Sequence, residues 1–255
     1  MKNKLFPVLF AFPFTAGICA ASIFSTKLRY LEGAVSSETP LTQGLIAVCC
    51  IAILMALISA FLLKNGIEYS TKLMPGALSV SMWFGAGCLL IHAFLTLLPL
   101  RYEFHATQLI LALFSLYGAV SLIVLAKYRL CERDSSAYCI FSAVPSFWAA
   151  FMTILTFRNN VTEPVILNYV FLVLAYISIL FFSYSLAAHV LGKGKKNVAV
   201  FSCFMGIFFI LTEIIGTILA GGFEAITLKR LTEFLPMIAY LVFMPFATAE
   251  ILKKR

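Results

Sequence analysis

Charged residues are scarce in this 255-residue chain, and that scarcity decides its class. Asp, Glu, Lys and Arg together make up 12% of the residues, whereas hydrophobic residues make up 62% and the mean hydropathy is +1.00. Soluble domains carry about twice that share of charge. No hydrophilic segment is long enough to form a soluble domain. The composition therefore excludes a water-soluble globular protein and indicates one whose solvent is lipid.

The sequence also lacks the short motifs of several enzyme classes. There is no GxxxxGK[ST] loop, no HExxH zinc motif and no GxSxG elbow, and no pair of aspartates lies within an apolar stretch. These absences argue against a nucleotide hydrolase, a zinc protease, a serine hydrolase and an aspartic protease. We therefore assign no catalytic residue and no cofactor, and a membrane-embedded enzyme is the least supported class.

Cysteine is present, but not where it would form structural disulfides. All seven cysteines lie in apolar stretches or on the predicted cytoplasmic side: Cys19, Cys49, Cys50, Cys88, Cys131, Cys139 and Cys203. We predict no structural disulfide, because these bonds belong to oxidising compartments. Adjacent residues of a helix point in different directions, so Cys49 and Cys50 do not form a metal site, and we predict none.

What the chain does contain is eight apolar stretches, each about as long as the 20 residues that a membrane-spanning helix needs. They are too long and too uniformly apolar for barrel strands. The sequence thus predicts an all-α, polytopic membrane protein, a single domain over residues 1–255. The predicted spans are Leu5–Phe24, Gly44–Leu63, Ala77–Leu100, Gln108–Ala126, Ala137–Phe157, Ile166–Leu191, Val198–Ala220 and Glu233–Leu252.

The formal net charge of +8 orients these spans. With the N-terminus in the cytoplasm, most lysines and arginines fall on the inner side, and the outer basic residues are offset by glutamates, as the positive-inside rule requires. We expect both termini to be cytoplasmic, in a cell membrane, with the basic residues near lipid headgroups. The short loops supply no contiguous basic face with stacking aromatics, so we predict no nucleic-acid partner.

The spans form four consecutive helical hairpins, which end on the lysines Lys64, Lys127, Lys193 and Lys253. In the second and third hairpins, Ser81-Met82-Trp83 and Ser146-Phe147-Trp148 hold corresponding positions. This period is consistent with duplication, but any chain of minimal hairpins shows one, and we favour that interpretation. Lys2 and Lys4, the apolar run after them and the small residues Cys19-Ala20-Ala21 also resemble a cleaved signal peptide. The spacing of Gly17 and Ala21 favours a retained helix with a packing face instead.

Two ionisable residues lie well inside predicted spans, where a charged side chain costs about 2.5–3.5 kcal/mol. These are His92 and Glu213, each at a similar distance from the predicted inner end of its span. Small and polar residues share their helical faces, as at helix–helix interfaces. Among these neighbours, the candidate site residues are Cys88, Thr96 and Thr217.

We hypothesise that His92 and Glu213 face a common interior site and interact directly or through water. Such a pair suits a polar or cationic solute, or a proton relay. A buried pair that only joins helices explains the same pattern equally well. A second hypothesis concerns Trp83 and Trp148, which lie too deep for an interfacial belt and, with Tyr176, are candidates for an aromatic pocket. Because the chain has 25 phenylalanines, we favour ordinary aromatic packing against lipid and neighbouring helices.

The sequence thus leaves two main functions open. The first is a small-solute transporter or permease subunit with an interior polar site. The second is a membrane sensor or accessory module that binds an apolar ligand and acts through a partner protein in the membrane or cytoplasm. A cavity lined by His92 and Glu213 would favour transport, and a closed aromatic pocket around Trp83 and Trp148 would favour sensing.

Overall fold

Long α-helices make up almost all of the structure, a computed structural model that describes residues 2–30, 40–63, 76–101, 106–128, 136–162, 167–222 and 227–252. Within those ranges there is no β-strand. One short 3₁₀ helix, Leu98–Arg101, follows the third long helix. The eight long helices are α1 (Lys2–Tyr30), α2 (Pro40–Leu63), α3 (Ala77–Leu97), α4 (Ala106–Tyr128), α5 (Ser136–Asn160), α6 (Leu167–Val190), α7 (Lys196–Gly221) and α8 (Leu228–Leu252).

All eight helices are long and apolar enough to cross a membrane. The backbone of such a helix satisfies its own hydrogen bonds, which is what hydrocarbon requires of a spanning segment. The predicted class is confirmed: the chain is an all-α, polytopic integral membrane protein.

Several helices extend beyond the apolar spans that the sequence predicts. α1 continues to Tyr30, and α8 begins at Leu228, five residues before the predicted start at Glu233. Hydropathy marks only the part of a helix that lipid surrounds, whereas the backbone hydrogen bonds continue into the polar interface. The segment 25–43, which lies between the first two predicted spans, is partly helical for the same reason, and its residues 31–39 lie outside the described ranges.

The predicted hairpin order is also confirmed. Helices α1 and α2, α3 and α4, α5 and α6, and α7 and α8 pack against each other in consecutive pairs. A short turn between α6 and α7 joins the third pair to the fourth. Gly192 has a φ of 74°, and the amides of Gly192 and Lys193 donate to the carbonyls of His189 and Ala188, which closes the last turn of α6 as a Schellman motif.

The pairs assemble around α7, which contacts α1, α2, α6 and α8, while α8 packs against α3. Glycines permit the close approach of α1 to α7. A Cβ on Gly216 would lie 2.4 Å from Cδ1 of Phe24, and one on Gly17 would lie 3.0 Å from Cβ of Leu211. Ala21 is fully buried. The packing face that the sequence predicts on the first helix is therefore present.

Candidate functional site

Glu213 lies on the central helix α7, and its side chain is 1% exposed. Its Oε1 lies 3.4 Å from Nη1 of Arg230, which is in the first turn of α8. The same Nη1 lies 3.2 Å from Oε2 of Glu233, one turn further along α8. We call these three residues the acid–arginine cluster. It places one guanidinium between two carboxylates, so its formal charge is −1.

The first turns of α8 build this cluster, because Arg230 and Glu233 are three residues apart and share a helix face. α8 packs directly on α7, which brings that face to Glu213. Thr217, one turn beyond Glu213 on α7, is close enough to interact with the carboxylate. Nevertheless, Oε2 of Glu213 has no hydrogen bond of ordinary geometry to any described residue.

His92 is also buried, at 1% exposure on α3, and it has different partners. Its Nδ1 lies 2.9 Å from Oγ of Ser115 on α4. Nε1 of Trp148, on α5, donates to the same oxygen at 3.0 Å, and the two rings meet edge to face with centroids 6.3 Å apart. One serine hydroxyl therefore joins three helices in what we call the His92 network.

The other two candidates on α3 have simpler roles in the structure. The hydroxyl of Thr96 donates to the carbonyl of His92 at 2.7 Å, so it is satisfied within its own helix. Cys88 is buried and is a free thiol. Neither residue has a described contact with Glu213.

Trp148 is the centre of an interior aromatic cluster. It is fully buried, stacks on Tyr240 with centroids 5.8 Å apart, and meets Tyr176 edge to face at 6.3 Å. The hydroxyl of Tyr176 in turn donates to the backbone carbonyl of Glu233 at 2.8 Å. The aromatic cluster therefore touches both the His92 network and the acid–arginine cluster.

Trp83 is not part of that cluster, and here the predicted aromatic pocket needs correction. Its side chain is 55% exposed, while the adjacent Met82 is 1% exposed. On α5 the order is reversed, because Phe147 is 65% exposed and Trp148 is buried. Adjacent positions on a helix point about 100° apart, so α3 directs its tryptophan outward and α5 directs its tryptophan inward.

The structure does not join His92 and Glu213 directly. Within the described residues, His92 has Ser115 as its hydrogen-bonding partner, and Glu213 has Arg230. What connects them is a series of contacts through Ser115, Trp148, Tyr176 and Glu233. A link through water remains a prediction.

Sequence reasoning missed Arg230, Ser115 and Tyr240. Hydropathy predicts that the last span starts at Glu233, which places Arg230 in the loop before it. The i, i+3 spacing of Arg230 and Glu233 was the signal that a helix begins earlier. Ser115 carries no such signal, because a single serine in an apolar helix usually bonds its own backbone, as this one also does to Leu111.

The structure describes the side chains of only some of the residues to which the metal and disulfide predictions apply. Among the described residues, no three His, Cys, Asp or Glu side chains are grouped as a metal ion would require. Cys19, Cys49, Cys50, Cys88 and Cys203 are free thiols. The side chains of Cys131 and Cys139 lie outside the described set.

No family model, curated protein or solved structure significantly matches this chain.

Proposed function

We propose that the protein is a small-solute transporter or a permease subunit, and that the acid–arginine cluster is its interior polar site. The observation that carries this proposal is the position of Glu213. A carboxylate that is 1% exposed lies on the most buried helix of a membrane protein, with one oxygen lacking a hydrogen bond to any described residue. Ionisable residues in this situation generally mark the route of an ion, proton or substrate.

A purely structural ion pair would have a different composition. It gains most when the charges cancel and every oxygen is hydrogen-bonded, since only then is desolvation repaid. The acid–arginine cluster instead has two carboxylates for one guanidinium, and Oε2 of Glu213 has no hydrogen bond of ordinary geometry to a described residue. This excess of acceptors and negative charge is useful to a protein that binds a solute.

His92 is the second polar group that we assign to the interior site, with Cys88, Thr96 and Thr217 as its small and polar neighbours. The support is indirect: the His92 network touches the aromatic cluster, which reaches Glu233. We place both termini in the cytoplasm and the protein in a cell membrane, on the evidence of its basic residues.

Transport is tested with purified protein in liposomes, by following the uptake of candidate solutes and of protons down a gradient. We expect the parent protein to show flux that Glu213→Gln abolishes and His92→Ala reduces. Glu250→Gln is the matched control, because Glu250 is at the opposite end of α8 from Arg230. The flux through this variant should equal the flux through the parent. A parent protein without flux of any tested solute or of protons would contradict the proposal.

The alternative, a sensor that binds an apolar ligand and acts through a partner protein, has less support. Trp148, Tyr176 and Tyr240 are all buried and contact one another. The aromatic side chains therefore fill their own space, and a flat ligand would have to displace them.

A further inference from the structure

We infer that the acid–arginine cluster binds an organic monocation, an ammonium or a guanidinium, and that Arg230 is a tethered counter-ion which the solute displaces. The inference rests on the proposed function, since it names the class of solute. It begins from charge. Two carboxylates share one guanidinium, so the cluster with its arginine displaced has a formal charge of −2 and accepts a cation.

The geometry of Arg230 is that of a weakly held ligand. A single nitrogen, Nη1, faces both carboxylates, at 3.4 Å and 3.2 Å. Strong arginine–carboxylate pairs are bidentate, and their charge-assisted hydrogen bonds are about 2.7–2.9 Å long. The guanidinium thus shows that a flat cation fits between Glu213 and Glu233, yet it leaves them incompletely satisfied.

Access to the site runs past the same residue. Arg230 is 32% exposed and Glu233 is 15% exposed, whereas Glu213 is 1% exposed behind them. Arg230, in the first turn of α8, is therefore the exposed side of the cluster. Lys229 is exposed beside Glu233, and water screens its attraction for that carboxylate.

The surroundings favour an organic cation over a metal ion. A divalent metal needs several oxygen, nitrogen or sulfur ligands, and the described residues contain no group of three acidic, His or Cys side chains. Tyr176 lies beside the cluster instead, because its hydroxyl donates to the backbone carbonyl of Glu233 and its ring contacts Trp148. Apolar and aromatic side chains beside a few polar groups are typical of sites that bind small organic molecules.

Chemical rescue in detergent or nanodiscs tests the inference without measuring flux. In Arg230→Ala the site is vacant, and the thermal stability should fall. Methylguanidinium should restore it in a dose-dependent manner, at an apparent affinity at least about tenfold tighter than for the parent, because the tethered competitor is gone. Sodium at equal ionic strength should not restore it. In Arg230→Ala/Glu213→Gln, methylguanidinium should have no effect.

The controls separate this binding from other causes. Arg158 is an exposed arginine in the last turn of α5, so Arg158→Ala should show neither a loss of stability nor a rescue. If Arg230→Ala does not fold, binding of radiolabelled methylguanidinium to the parent and to Glu213→Gln decides instead, and equal binding to the two would overturn the inference. Stability that depends on pH but never on methylguanidinium would mean that only a proton occupies the site, and would overturn it too.

Failure of this inference is distinguishable from failure of the proposed function. Rescue by methylguanidinium without flux in liposomes would support the cation-binding site and contradict the proposed transport. Flux that Glu213→Gln abolishes, without any binding of methylguanidinium, would retain the transporter and assign its solute to another class.

Discussion

Helices α2 and α7 pack against each other but have opposite surroundings. In α2, 28% of the spanning residues are buried, and the mean hydropathy is 3.0. In α7, 78% are buried and the mean hydropathy is lower, at 2.3. The more apolar helix is thus the one that faces lipid, and the helix with the buried carboxylate is central.

The difference shows what high hydropathy means in a membrane protein. Lipid tails are as apolar as a leucine side chain, so a strongly apolar helix gains no hydrophobic free energy by moving from lipid to the centre of a bundle. Close backbone approach and interhelical polar contacts do favour the centre. Accordingly, α7 has Gly206 and Gly216 against its neighbours, whereas Ile51, Leu54 and Phe61 of α2 are exposed.

The largest effect should follow from a leucine in place of Gly216. A Cβ there would lie 2.4 Å from Cδ1 of the buried Phe24, so the ring or the two helices must shift. We expect Gly216→Leu to cost about 3 kcal/mol or more. The control is Gly44→Leu on α2, where a Cβ would meet nothing within 4 Å. Thermal unfolding in detergent measures both, and equal stability of the two variants would break the comparison between the helices.

The next effect should follow from removal of the buried counter-ion. Arg230→Met leaves Glu213 without its partner, and we expect a cost of about 2 kcal/mol, below that of a fully buried pair because Arg230 is 32% exposed. Adding Glu213→Gln should recover part of that loss. Arg158→Met, which changes an exposed arginine, should be neutral. If the double variant is as unstable as the sum of the single ones, the two residues are not coupled.

The sequence was sufficient to predict the class, the eight helices and their order, because hydropathy reports directly on lipid contact. It also predicted that His92 and Glu213 are buried, since small residues on the same helical faces mark helix contacts. These inferences depend on one helix at a time, with a known period.

The partners of those residues could not be predicted in the same way. Ser115 and Trp148 meet His92 because α3, α4 and α5 are rotated to suit, and no local pattern gives the rotation of a helix about its axis. For the same reason Trp83 and Trp148, in similar sequence contexts, face opposite ways. Their opposite orientation is also evidence against structural equivalence of the second and third hairpins.

A smaller effect is expected for Ser115→Ala, which removes the hydroxyl that His92 and Trp148 share. The indole N–H would then be buried without that acceptor, at a cost of about 1–2 kcal/mol. Ser22→Ala is the control, since its exposed hydroxyl bonds only to the carbonyl of Ile18 in its own helix. Thermal unfolding of Ser115→Ala and Ser22→Ala, each made in a Trp83→Phe background, measures the difference in stability. In the same background we expect a shift in the Trp148 fluorescence emission for Ser115→Ala alone. An unchanged emission would mean that the indole is not held by Ser115.

The smallest change in stability should be that of Trp83→Phe, within about 0.5 kcal/mol of the parent, because its ring faces outward. The same variant isolates the fluorescence of Trp148, and Trp148→Phe isolates that of Trp83. In bilayers with brominated acyl chains, we expect strong quenching of Trp83 and little quenching of Trp148, because only the exposed indole contacts lipid. Equal quenching would mean that the rotation of α5 described here is wrong. The aromatic cluster and its contact with Glu233 would then be wrong as well, because both depend on that rotation.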